Sequence, residues 1–85
     1  MPDPDLAQRF ADAQARIQPV SVATDVMLAL YALYKQSTAG DVSGDRPGML
    51  DVRGRAKYDA WAKHKGLSKD VAMEQYIALV GKHAK

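Results

Sequence analysis

Residues 24–61 read TDVMLALYALYKQSTAGDVSGDRPGMLDVRGRAKYDAW. In the first third, Met27, Leu30, Tyr31 and Tyr34 recur at helical spacing, and Val26, Leu33 and Ser37 flank that stripe. The pattern predicts a helix from about Thr24 or Asp25, either of which can be the N-cap, to Ser37. Residues 38–50 then carry three glycines, a proline and two aspartates, which is loop composition. A loop of this length is either functional or disordered. Its content argues for order, with Val42, Met49 and Leu50 as apolar anchors and Arg46-Pro47-Gly48 as a turn. Asp51 is placed to cap a further helix running to about His64, with Ala56, Ala60 and Trp61 on its apolar face and Tyr58 beside it. Gly66 is expected to end it, after the cations and histidine Lys63, His64 and Lys65.

Two more helices flank this stretch. Leu6, Phe10, Ala13 and Ile17 share one face of a first helix, which Asp3 or Asp5 can cap and Pro19 stops. Ser68 caps a last helix with Asp70 in its first turn, Ala72, Tyr76, Leu79 and His83 on one line, and Met73, Ile77 and Val80 adjacent. No sustained period-2 alternation appears, so no strand is expected. Four helices with one long ordered connection make a small all-α bundle.

Composition narrows the function. The chain has 85 residues, which fits one domain over residues 1–85. It has no cysteine, which excludes disulfides, thiolate metal sites and a cysteine nucleophile. Its longest apolar run, Val26 to Tyr34, falls far short of the roughly 20 residues that cross a bilayer. The opening MPDPDL is not a secretory signal, so the cytoplasm is the expected location. His64 and His83 lack a third ligand pattern and an orienting carboxylate, so neither a metal site nor a serine–histidine–aspartate triad is expected. Gly40, Gly44, Gly48 and Gly54 do not follow a phosphate-loop spacing.

The net charge of +2 is unevenly spread. Residues 1–25 set Arg9 and Arg16 against Asp3, Asp5, Asp12 and Asp25. Residues 53–69 set Arg53, Arg55, Lys57, Lys63, Lys65 and Lys69 against Asp59 alone. That block reads either as a solvated helix face or as a surface for an anionic partner.

The strings Tyr31-x-x-Tyr34-Lys35-Gln36-Ser37-Thr38-x-Gly40-Asp41, Arg46-Pro47-Gly48-Met49-Leu50-Asp51 and Gly54-x-Ala56-Lys57-x-x-Ala60-Trp61 occur in order. Together with Lys65-Gly66, Ser68-Lys69, Ala72-Met73 and Tyr76-Ile77, they resemble the acyl-CoA-binding protein family over about residues 27–80. The first helix departs from it, since Gln18 stands where the family often has lysine. The resemblance implies a four-helix bundle in up-down-down-up order that holds long-chain fatty acyl-CoA without covalent chemistry. It implies a carrier and buffer with no cofactor and no enzymatic activity.

By the same resemblance, Tyr31, Lys35 and Lys57 hold the 3′-phosphate of coenzyme A, and Tyr34 and Tyr76 pack against the nucleotide. The residue types suit the task. Tyr31 neighbours both Tyr34 and Lys35 on the helix surface, and an aromatic face beside an ammonium fits a phosphorylated nucleotide. Their plain alternative is packing for the tyrosines and a solvated flank for the lysines. Arg53 and Arg55 keep the family's charge and serve as steering residues. Gln14, Met27, Leu28 and Leu30 are the candidates to line the acyl groove between the first three helices, with ordinary core packing as the alternative. Each buried methylene contributes up to about 0.8 kcal/mol, so chain length should govern affinity while the head-group residues select the coenzyme ester.

Two other classes fit the composition. A helical module recruiting a lipid-metabolic partner would expose an apolar patch away from the groove. A nucleic-acid-binding module would use the basic block, but no recognition-helix motif accompanies it. The expected state is a monomer without stable membrane insertion, because a carrier needs its groove free.

Overall fold

The computed structural model describes residues 4–84. Its helices are α1 (Leu6–Ile17), α2 (Thr24–Thr38), α3 (Val52–Ala62) and α4 (Lys69–His83), and the described residues contain no strand. They run up-down-down-up, with the two parallel helices α2 and α3 joined by the long loop. Helix α4 packs on both α1 and α2, while α3 packs on α2 alone. The molecule is accordingly flat, with principal extents of 40 × 30 × 14 Å.

The core belongs to three helices. Phe10 and Ala13 from α1, Leu30 and Leu33 from α2, and Ala72, Tyr76 and Val80 from α4 form one buried cluster, closed by Ala84. On α4 the buried line is Ala72, Tyr76 and Val80, whereas Leu79 is half-buried and His83 exposed. Arg16 Nη2 donates to the Ala84 carbonyl at 2.6 Å, tying the end of α1 to the end of α4. Helix α3 contributes no buried residue.

Local chemistry sets the helix ends. The Ser68 hydroxyl accepts from the Val71 N–H at 3.1 Å, and the Asp51 carboxylate accepts from the Gly54 N–H at 3.0 Å. A Cβ on residue 54 would collide with that same carboxylate, which accounts for glycine there. Helix α2 differs from the expected start. Its N-cap is Ala23, and Thr24 and Asp25 are already helical. The Asp25 carboxylate instead accepts from the Val26 N–H at 2.9 Å, where a negative charge suits the first turn. Asp5 occupies the N-cap of α1 without a side-chain capping bond, and Asp3 lies outside the described residues. Helix α3 stops at Ala62, short of His64, and Lys63 to Gly66 form turns, with Gly66 at φ +92°.

The 39–51 connection is ordered, but not by the expected apolar anchors. Met49 is 82% exposed and Leu50 fully exposed, while Val42 is half-buried. The turn falls at Gly48–Asp51, closed by the Asp51 N–H on the Gly48 carbonyl at 3.0 Å, instead of at Arg46-Pro47-Gly48. Met49 and Leu50 are its central residues, and a turn's centre points away from the chain it reverses. Polar groups fasten the loop in their place. Trp61 Nε1 donates to the Gly40 carbonyl at 2.8 Å, and the Tyr58 hydroxyl donates to the Gly44 carbonyl at 2.9 Å. Arg46 forks onto the Asp59 carboxylate at 2.8 and 2.7 Å. Asp41 Oδ1 accepts from Gln36 Nε2 at 2.9 Å and from the Gly66 N–H at 2.8 Å, and Gln36 Nε2 also donates to the Leu67 carbonyl at 2.7 Å.

The Gly66 N–H, and then the Gln36 amide, hold the Asp41 carboxyl below its ordinary value of 3.8. Such a group contributes stability above its unfolded value and loses it as pH falls through the folded one. Stability to urea should therefore drop on acidification below about pH 4. Asp41→Asn should shrink that drop, leaving the share of Asp59, which Arg46 also holds low. An unchanged acid limb in the variant would contradict the assignment.

Candidate functional site

Helix α2 has two working faces. Leu30 and Leu33 turn into the core, while Met27 is 56% and Tyr34 39% exposed, with Tyr31 half-buried between them. The stripe seen in the sequence is thus split, and its Met27, Tyr31 and Tyr34 edge forms a surface flanked by α1 and α3. Those two helices do not pack on each other.

On the α3 side, two i, i+4 pairs meet. Tyr31 and Lys35 of α2 face Lys57 and Trp61 of α3. Lys57 Nζ lies 5.3 Å from the Tyr31 ring centroid, and Lys35 Nζ lies 5.0 Å from that of Trp61. Both distances fall within the roughly 6 Å reach of a cation–π contact. The seam therefore alternates ammonium and ring in both directions. Each ammonium rests on a ring face, which does not neutralise it, so two positive charges remain for an anion. Trp61, expected on the apolar face of α3, is half-buried and belongs to this seam. Its i, i+4 spacing from Lys57 was the signal that could have placed it there.

On the α1 side, Phe10 supports two tyrosines. Its ring stacks on Tyr34 with centroids 6.2 Å apart and meets Tyr76 edge-on at 5.0 Å. Tyr76 is 5% exposed, so its ring serves the core and a nucleotide contact is restricted to its phenol edge. Burial, and then the Tyr34 phenol, push the Tyr76 phenol up from its ordinary value. Tyr31, Tyr34, Lys35 and Lys57 thus share one surface, with Tyr76 behind it.

Two cavities open along the α2–α3 seam. One, of about 390 Å³, is lined by Thr24, Met27, Leu28, Arg53, Ala56 and Lys57. The other, of about 280 Å³, shares Leu28 and Ala56 but holds the carboxylates Asp25 and Asp59 beside Lys63 and His64. The first joins apolar lining to two cations, whereas the second mixes signs, with Asp25 and the Arg46-paired Asp59 beside Lys63. Of the candidate groove residues, Met27 and Leu28 line the first cavity. Leu30 is instead part of the core, and Gln14 lies half-buried on α1 with its amide 3.4 Å from the Phe10 carbonyl. Arg53 lines the cavity, whereas Arg55 does not, and its charge helps to hold the Asp59 carboxyl below its ordinary value. Gln18, at the end of α1, is exposed.

No helix of the described residues is long and apolar enough to cross a membrane. Among the described residues no three histidine, aspartate or glutamate side chains converge as metal ligands would.

Comparison with known proteins gives one answer. Residues 7–80 match the family model described as Acyl CoA binding protein. The chain is 49% identical over 73 residues to acyl-CoA-binding protein homolog 1 of Caenorhabditis elegans, covering 84% of this chain and 85% of that protein. It is 46% identical over 78 residues to the acyl-CoA-binding protein homolog of Manduca sexta, covering 88% and 87%. Among solved structures, acyl-CoA-binding protein 2 of Oryza sativa superposes with a TM-score of 0.89 at 35% identity, covering 92% of this chain and 87% of that one. The yeast acyl coenzyme A binding protein superposes with a TM-score of 0.70 at 40% identity, covering 93% and 99%.

Phe10 carries the rings of both Tyr34 and Tyr76. Phe10→Ala should lower unfolding free energy by about 3–5 kcal/mol in urea titrations. A loss below about 1 kcal/mol would show that these contacts do not hold the site together.

Proposed function

The chain belongs to the acyl-CoA-binding protein family, and from that premise we propose that it is a non-covalent carrier of long-chain fatty acyl-CoA. The observation that carries this reading is the Tyr31–Lys57 and Lys35–Trp61 seam beside the cavity of Met27 and Leu28. Lys35 and Lys57 offer two ammoniums to the 3′-phosphate, a group with a charge of about −1.5 to −2 at neutral pH. Tyr31 and Tyr34 offer ring faces to the nucleotide, with the Tyr76 phenol behind them. Met27 and Leu28 take the start of the acyl chain, and Arg53 draws the anion in. Gln14 on α1 is proposed as a more distant contact of the tail. Leu30 acts from beneath, through the core.

The head group and the tail do different work. Partly exposed ion pairs contribute about 0.2–1 kcal/mol each, against up to about 0.8 kcal/mol for every methylene removed from water. Tail length sets affinity, and the cations decide that the ligand is a coenzyme ester and not a free acid. With Gln18 uncharged, the α1 side adds no cation at that position. We place the protein in the cytoplasm as a monomeric single domain over residues 1–85, acting as a carrier without a cofactor.

Calorimetric titration with palmitoyl-CoA should give tight one-to-one binding, with coenzyme A and palmitate alone binding far more weakly. Failure of the ester to bind would overturn the reading. Lys57→Ala should weaken palmitoyl-CoA by more than about 1 kcal/mol and weaken the analogue lacking the 3′-phosphate by less. Equal losses for both ligands would remove Lys57 from the phosphate.

A further inference from the structure

The cavity beside the seam is not apolar to its end. Its lining combines Met27, Leu28 and Ala56 with Thr24, Arg53 and Lys57. Lys57 also belongs to the seam, where it faces Tyr31. Arg53 lies one turn before Lys57 on α3, about 6 Å back along the helix, and Thr24 lies two turns before Tyr31 on α2. Because α2 and α3 run parallel, both residues lead away from the seam in the same direction. The cavity therefore runs from a cation that faces the head group, past apolar side chains, to a second cation and a hydroxyl. A tail of hydrocarbon alone has no use for that last pair.

Arg53 is available to a ligand. It is exposed, and among the described residues no carboxylate bonds to it. The neighbouring carboxylates point elsewhere: Asp51 turns back onto the Gly54 N–H, and Asp25 onto the Val26 N–H. Asp25 and Asp59 line the other cavity, which shares only Leu28 and Ala56 with this one, and Asp59 is held by Arg46. A guanidinium is a planar fork that takes a carboxylate through two parallel N–H bonds, as an ammonium cannot. Its stem lies along apolar lining while its head stays in water, so a carboxylate that meets it keeps part of its hydration.

We propose that this cavity accepts acyl chains whose far end is itself a carboxylate, the coenzyme A esters of long-chain dicarboxylic acids. Arg53 forks onto the terminal carboxylate, and the Thr24 hydroxyl donates to it. This substrate class rests on the carrier reading and extends it. Plain tails still bind through Met27, Leu28 and Ala56. A terminal carboxylate, which a cavity of hydrocarbon alone would reject, finds its counter-charge at the cavity's end.

Calorimetry compares the octanoyl, dodecanoyl and palmitoyl esters of coenzyme A with the octanedioyl, dodecanedioyl and hexadecanedioyl esters. For each length the readout is the ratio of dissociation constants, dicarboxylic over plain. Arg53→Met keeps an apolar stem and removes the fork, and it should raise that ratio at least about fivefold at one or more lengths. Arg53→Lys should recover only part of the loss. Arg53 is exposed in the first turn of α3, so helicity should be retained in both variants. A smaller rise at every length overturns the proposal. It also falls if the terminal methyl ester, which carries no charge, responds to Arg53→Met as strongly as the free carboxylate. Failure of the plain esters to bind the wild type would instead overturn the carrier reading, and this inference with it.

Discussion

Helix α3 brings half of the Tyr31–Lys57 and Lys35–Trp61 seam and no buried residue, so the seam depends on how α3 is held against α2. The polar clamp of the 39–51 loop adds to the packing of α3 on α2. Successive α3 side chains Tyr58, Asp59 and Trp61 bond to Gly44, Arg46 and Gly40, and Asp41 fastens the loop to the turn that follows α3. Each such bond is worth about 0.5–1.5 kcal/mol net, which is small singly but directional. Trp61 serves both clamp and seam, with its Nε1–H on the Gly40 carbonyl and its ring face toward Lys35, while Lys57 faces Tyr31.

Helix α2 makes the complementary compromise. One face, through Leu30 and Leu33, completes the core with α1 and α4. The other presents Met27, Tyr31 and Tyr34 with partial exposure, at a cost in unburied apolar area that a ligand can recover. Phe10 links the two roles, because its ring is a core residue and also the support of Tyr34. Fold and site are therefore not separable along this helix.

Much of this was legible in the sequence, for physical reasons. The stripes gave four helices, and Asp51 and Ser68 sit where their side chains cap α3 and α4, since short oxygen-bearing side chains satisfy the orphan N–H groups. Tyr31, Tyr34 and Lys35 fall on one surface because i, i+3 and i+4 residues do, and the packing of α3 on α2 brings Lys57 to Tyr31. What was not legible depended on tertiary partners. Local preference favours Thr24 over Ala23 as the cap of α2, yet the helix starts one residue earlier, with Ala23 as its N-cap. Met49 and Leu50 read as anchors because apolar loop residues usually bury, whereas the turn begins one residue beyond Pro47 and turns them outward. Leu30 and Leu28 are near neighbours on one helix, yet only the packing of α4 tells core from groove.

The account stands or falls on Lys35 and Lys57 acting on one phosphate across the seam. A double-mutant cycle with Lys35→Met and Lys57→Met, titrated with palmitoyl-CoA, measures that directly. The two losses should be non-additive by at least about 0.5 kcal/mol, and the coupling should vanish with the ligand lacking the 3′-phosphate. Additive losses, or a coupling that persists without that phosphate, would contradict it.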